Sequence, residues 1–166
     1  MQNTARIQSL SPADSRTYML ASLFVTGNIV LPYLCHMVPE GGKMFLPIFF
    51  FTLVGAYRYG LTVGLATAVL SPIANSLLTG SPAEGMLPPM LIQSVMLASA
   101  AAVAARYAQR MSLPLIAVVV LVCQMAGLAV EHAMIASDHS VMQAFVTAIP
   151  GMLLQIFGGS YLINKL

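Results

Sequence analysis

Histidine, cysteine, acid and amide residues hold all the chemistry available to this chain, and they sit at defined places between and within apolar runs. Cys35 and His36 lie at the end of the first run, Glu131 and His132 follow the fifth, and His139 precedes the sixth. An imidazole can ligate a metal, carry a proton or hydrogen-bond a ligand. Cys35, His36, Met37, Glu131 and His132 have the donor types of a soft metal site. Their spacing matches no metal signature, so no metal is expected, and Cys35, His36 and His132 remain the lesser alternative. Cys35 and Cys123 are far apart with no Cys-x-x-Cys pair, which reads as buried structural thiols rather than a disulfide framework. Amides are the second set: Asn28, Asn75, Gln93, Gln124 and Gln155 lie inside apolar runs. An uncharged amide at membrane depth either ties helices together or meets a ligand. Taken together, these amides favour a hydrogen-bonding pocket. No Asp, Glu, Lys or Arg falls in the centre of a run, which argues against a proton relay or a voltage sensor. The chain also lacks a His-Glu-x-x-His motif, a nucleophile elbow and a phosphate-binding Gly-x-x-x-x-Gly-Lys-Ser/Thr loop. Neither an enzyme nor an ATP-binding protein is expected.

Six apolar stretches must position these residues, at about 17–38, 43–57, 60–79, 85–105, 113–130 and 140–163. Each approaches the roughly 20 residues that cross a hydrocarbon core, and the second is the shortest. Of 166 residues, 58% are hydrophobic and 7% charged, whereas a soluble domain carries about 25% charge. The expected fold is therefore an all-α membrane protein, a single integral domain over 1–166 with a short N-terminal segment at 1–16. The charges alternate between the gaps. With a cytoplasmic N-terminus, six of the seven Lys/Arg lie inside and four of the five acids outside, as the positive-inside rule requires. Both termini are thus expected in the cytoplasm. The basic residues set topology and do not form a nucleic-acid patch. The polar first 16 residues and the long first run do not resemble a cleavable signal.

Prolines fall unevenly. On this topology Pro32, Pro47, Pro72, Pro88, Pro89 and Pro150 lie in the outer half, and Pro114 alone opens a stretch from inside. Proline within a span frees backbone groups that need partners in protein or water, so the bias predicts a cavity in the outer half lined by broken helices. Small residues recur four apart in Gly60-x-x-x-Gly64-x-x-x-Ala68 and Ala98-x-x-x-Ala102, a spacing that lets helices approach closely. On the first stretch Ala21, Ser22, Val25, Thr26 and Gly27 form a small-residue face toward the cytoplasm.

The order of several short motifs gives a resemblance. Phe45-Leu46-Pro47-Ile48 opens the second stretch. Gly55-Ala56-Tyr57-Arg58-Tyr59-Gly60 makes an inner turn, with Gly64 following. Ser71-Pro72-Ile73-Ala74-Asn75-Ser76-Leu77-Leu78-Thr79-Gly80 leads to Met86-Leu87-Pro88. Over about residues 15 to 164 the chain resembles the substrate-binding S components of energy-coupling factor (ECF) vitamin transporters. The resemblance implies a pocket open to the outside and capped by the first, third and fifth loops. It also implies a membrane T component and two cytoplasmic ATPases as partners, no cofactor, and a bacterial plasma membrane. In that family an Ala-x-x-x-Ala stripe on the first helix contacts the T component. Here Ala21-x-x-x-Val25 keeps one alanine, and Ser22-x-x-x-Thr26 is a substitute stripe. The candidate substrate-binding residues are Asn28, Tyr33, His36, Asn75, Gln93, Gln124, Glu131 and His132.

Aromatics are 8% and tryptophan is absent, so a large stacking cage is not expected, although Tyr33, Phe49, Tyr57 and Phe145 are available. Lys43 is the single outer cation. A neutral or weakly cationic, partly apolar micronutrient is the expected cargo. Asn75→Ala and His132→Ala are expected to weaken its binding and spare the fold. The alternatives are a stand-alone small-molecule or metal transporter or channel and, less favoured, a membrane-embedded metalloenzyme built on His36, Glu131 and His132.

Overall fold

A computed structural model describes residues 9–35, 44–108, 111–135 and 140–166. Among them every regular element is helical. Helix α1 is Ser15–Cys35, α2 is Pro47–Tyr59 and α3 is Leu61–Thr79; a short 3-10 turn, Glu84–Met86, leads into α4, Leu87–Ala108. Helix α5 is Leu113–Met134. Then come α6, Val141–Thr147, α7, Ile149–Leu153, a π-helical turn, Leu154–Gly158, and α8, Gly159–Lys165.

Local chemistry sets the helix ends. Asp14 caps α1, its Oδ1 accepting the Arg16 N–H at 2.9 Å. Proline stands in the first turn of α2, α5 and α7, where its missing N–H costs nothing. A single residue, Gly60, joins α2 to α3 with φ +91°, a region glycine enters without a Cβ clash. Gly80 ends α3 in the left-handed conformation, its N–H bonding the Ser76 carbonyl at 3.0 Å.

Helices α1, α3, α4 and α5 are long and apolar enough to cross a membrane. The pair Val141–Thr147 and Ile149–Lys165, bent by 51° at its break, would make a fifth crossing. Pro150 accounts for the bend, because the ring can neither donate to the preceding turn nor fit against it. The sequence predicts six spans, whereas the described residues provide four or five. The difference is α2. Its 13 residues extend only about 20 Å at about 1.5 Å per residue, against a hydrocarbon core of about 30 Å.

What α2 does instead is fill the centre. Leu53, Val54, Ala56 and Tyr57 are fully buried, and α1, α3, α4 and α8 all pack on it. Glycines set the closest approaches. Gly64 of α3 stands against Ala56, so near that an added Cβ would lie 2.7 Å from the Ala56 Cα. Gly151, Gly158 and Gly159 meet Phe45, Phe50 and Leu53 in that order, so the C-terminal helix runs parallel to α2. The stripes Gly64/Ala68 and Ala98/Ala102 are buried packing surfaces. Exposed apolar residues such as Leu23, Val30, Val122 and Phe157 cover the outside, as suits helices solvated by lipid rather than water.

The described basic residues share one end. Arg16 begins α1, Arg58 ends α2, Arg106 ends α4 and Lys165 ends α8. Two hydrogen bonds close this end over α2. The Leu10 N–H donates to the Tyr59 carbonyl at 3.1 Å, and the Ser112 N–H donates to the Tyr57 hydroxyl at 3.2 Å. Glu84 and Glu131 belong to elements at the opposite, acidic end.

Candidate functional site

The amides fall into two separate polar centres, each built by the helices that carry them.

The first centre ties α1 to α2 and α3. Pro32 lacks the N–H that would bond the Asn28 carbonyl one turn earlier. Asn75 supplies a replacement, its Nδ2 donating to the Asn28 carbonyl at 2.8 Å and to the Ser71 carbonyl at 3.0 Å. The Asn28 side chain is used to the full. Its Nδ2 donates to Thr52 Oγ1 at 3.2 Å and to Ser71 Oγ at 3.0 Å, and its Oδ1 accepts the Phe51 N–H at 3.2 Å. Asn28, Thr52 and Ser71 are fully buried and Asn75 nearly so. In the sequence Asn28 and Asn75 suggest the lining of an outer cavity. In the fold Asn28 and Asn75 bond one another and the helix backbones. The Asn75→Ala expectation changes accordingly: this amide has a structural role, and its removal is expected to cost stability.

The second centre lies between α4, α5 and the C-terminal helix. Gln93 Nε2 donates to Gln124 Oε1 at 2.9 Å, with both side chains buried. They line a cavity of about 10 Å³ together with Phe49, Leu97, Cys123 and Gln155, space for roughly one water molecule. Gly127 makes the pairing feasible. An added Cβ there would stand 2.3 Å from Gln93 Cδ, so the glycine leaves the space in which the Gln93 side chain crosses the face of α5. Gln155 enters from the π-helical turn, a distortion that recurs at functional sites because it widens the helix by one residue and re-aims its side chains. Among the described residues no charged group lines this cavity. Three carboxamides and one aromatic face can exchange donors and acceptors with a neutral molecule, and they cannot neutralise a multiply charged one.

The remaining candidates are dispersed. Tyr33 is 69% exposed on the outside of α1. Glu131 is half-buried and His132 exposed in the last turn of α5; neither lines the carboxamide cavity. His36 and the first loop lie outside the described residues, as do His139 and most of the fifth loop. Among the described residues no three His, Cys, Asp or Glu side chains come together as metal ligands. On α1, Ser22 and Thr26 are exposed and Val25 is half-buried, but Ala21 is 3% exposed and packs into the core. The docking face proposed for that helix therefore excludes Ala21, which helical geometry turns toward α2.

Several residues escape a sequence reading. Thr52 and Ser71 pass as ordinary small polar residues of apolar helices. Arg58 reads as a charge that sets topology, yet it is 6% exposed. Comparison with known families, with curated proteins and with solved structures finds no match.

Proposed function

We propose that this chain is the substrate-binding S component of an ECF-type importer in a bacterial plasma membrane, taking up a vitamin-like micronutrient with energy from partner subunits. In this reading the chain is a six-helix bundle with the short α2 held inside it, and the basic end and both termini face the cytoplasm. The observation that carries it is the uncharged cluster of Gln93, Gln124 and Gln155 with Phe49, brought together by α2, α4, α5 and the C-terminal helix. Such a cluster suits capture of a neutral, partly apolar molecule. A pocket for a vitamin-sized ligand needs about 300 Å³ or more, so binding opens the present cavity. The broken C-terminal helix, with its 51° bend and π-helical turn, is the element suited to swing outward. Energy comes from two cytoplasmic ATPases carried by a T component, and the T component docks on the exposed Ser22 and Thr26 side of α1.

Replacing both Ser22 and Thr26 with Leu tests this. The exposed positions tolerate leucine in a lipid-facing helix, so ligand retention and thermal stability are expected to stay unchanged. Co-purification of the T component and ATPases is expected to fall at least about tenfold, equivalent to about 1.4 kcal/mol, and uptake with it. Undiminished co-purification and uptake would remove the docking face from the proposal. Conduction by the purified chain alone in liposomes would favour a channel instead.

A further inference from the structure

Arg58 occupies the last turn of the central helix with 6% exposure, and its Nε and Nη1 are buried with no hydrogen-bond partner. Its guanidinium lies 5.7 Å from the centre of the Tyr59 ring, a contact that satisfies charge in part and leaves the Nε and Nη1 N–H groups without hydrogen bonds. A guanidinium stays protonated at any physiological pH, and a buried charge without a counter-ion is among the costliest groups a fold can hold. The acid described at this end, Asp14, is engaged in capping α1. Among the described residues no carboxylate side chain is left to pair with Arg58, which leaves the place open to an anion from outside the chain.

The surroundings say which anion. Exposed tyrosines from three different helices ring the same end: Tyr18 on α1, Tyr107 on α4 and Tyr161 on α8. Arg16, Arg106 and Lys165 alternate with them, and Lys165 Nζ sits 5.8 Å from the Tyr161 ring centre. Exposed aromatic and basic side chains at one level mark the headgroup plane of a bilayer. Arg58 ends α2 at that level, with α1 and α8 packed on the helix that carries it. Phosphate oxygens are concentrated at this depth, and they accept charge-assisted hydrogen bonds from arginine.

We infer that Arg58 is the core of an anion site that takes a phosphate group, delivered by an anionic phospholipid headgroup inserting at the basic end or by free phosphate. The inference stands apart from the transport reading, since it requires only that this end of the bundle sit at a membrane surface.

The test compares thermal unfolding of the full-length protein in nanodiscs of phosphatidylcholine and of phosphatidylcholine with phosphatidylglycerol, with inorganic phosphate added to the former as a separate arm. The wild type is expected to gain thermal stability with phosphatidylglycerol, saturably. Arg58→Met is expected to be at least as stable as wild type in pure phosphatidylcholine, since it removes an uncompensated charge, and to lose the phosphatidylglycerol response. Native mass spectrometry should show retained phosphatidylglycerol falling about tenfold or more in Arg58→Met, the size of one lost charge-assisted interaction. Arg106→Gln, an exposed member of the same belt, should keep the response, and Arg58→Lys, which retains the charge, should keep part of it. A response to phosphatidylglycerol alone identifies the lipid as the source, and an equal response to millimolar phosphate identifies the free ion. Absence of both responses in the wild type, or an undiminished response in Arg58→Met, overturns the site.

Discussion

Gly64→Val is expected to prevent the core from assembling, and Gly64→Ala to destabilise it by about 3 kcal/mol, the upper end of overpacking costs in a tight core. A Cβ at Gly64 would stand 2.4 Å from the Ala56 Cβ and 2.7 Å from its Cα. The obstacle is backbone, which no rotamer change can move aside. Relief requires α3 to separate from α2, and that distance governs everything α2 holds together. Helices in lipid gain little from apolar burial and rely on close backbone approach, so the loss is not recovered elsewhere. Unfolding in mixed micelles by a denaturing detergent measures it. Gly85→Ala is the control, since nothing lies within 4 Å of its added Cβ; that change should fall within about 0.5 kcal/mol of wild type. Equal stabilities for Gly64→Ala and Gly85→Ala would show that α2 and α3 are not packed as described.

The second large effect concerns Asn75. Asn75→Ala leaves the Asn28 carbonyl, already deprived of its helical donor by Pro32, without a partner in a buried setting. The expected cost is about 1–3 kcal/mol. The cause can be isolated. In a Pro32→Ala background the residue at position 32 regains an N–H that can bond the Asn28 carbonyl within α1. Asn75→Ala should then cost less, with a coupling of about 1 kcal/mol between the two sites. A double-mutant cycle on the same detergent-unfolding assay reads this directly. Full additivity would mean that Asn75 does not act through the carbonyl Pro32 exposes.

The long helices were legible because apolar runs of near-spanning length are cut by Gly60, Gly80, Pro114 and charges, each with its own backbone reason to end a helix. The position of α2 was not. Pro47–Tyr59 is uniformly apolar apart from Thr52 and Arg58, and a helix surrounded by protein has the same composition as one surrounded by lipid. Only packing, set by Ala56 against Gly64, distinguishes them. Pro150 announced the break in the C-terminal helix, whereas nothing in Leu154–Gly158 announces a π turn. The amides were legible as a set, but their partners were not. Asn28 and Asn75 meet through a carbonyl whose vacancy follows from Pro32, a deduction open to sequence, yet the choice of Asn75 to fill it depends on how α1 lies against α3. Gln93 and Gln124 had a clearer signal. They lie in two consecutive antiparallel helices joined by a short connection, Gln93 in the second turn of α4 and Gln124 at the middle of α5, near enough in depth to meet. Arg58 shows the opposite limit: its charge is plain in the sequence and its burial is not.

The central claim, that the chain captures a small neutral molecule at the carboxamide cluster, is tested most directly by native mass spectrometry of the protein gently solubilised from its own host. The measurement compares wild type with the Gln93→Leu, Gln124→Leu double variant. That variant removes both partners of one buried hydrogen bond and so should remain folded. The account predicts a small organic mass on the wild type, with T and ATPase subunits in part of the population, and no such mass on the variant. A wild type carrying no organic mass, or one retained equally by the variant, would contradict it.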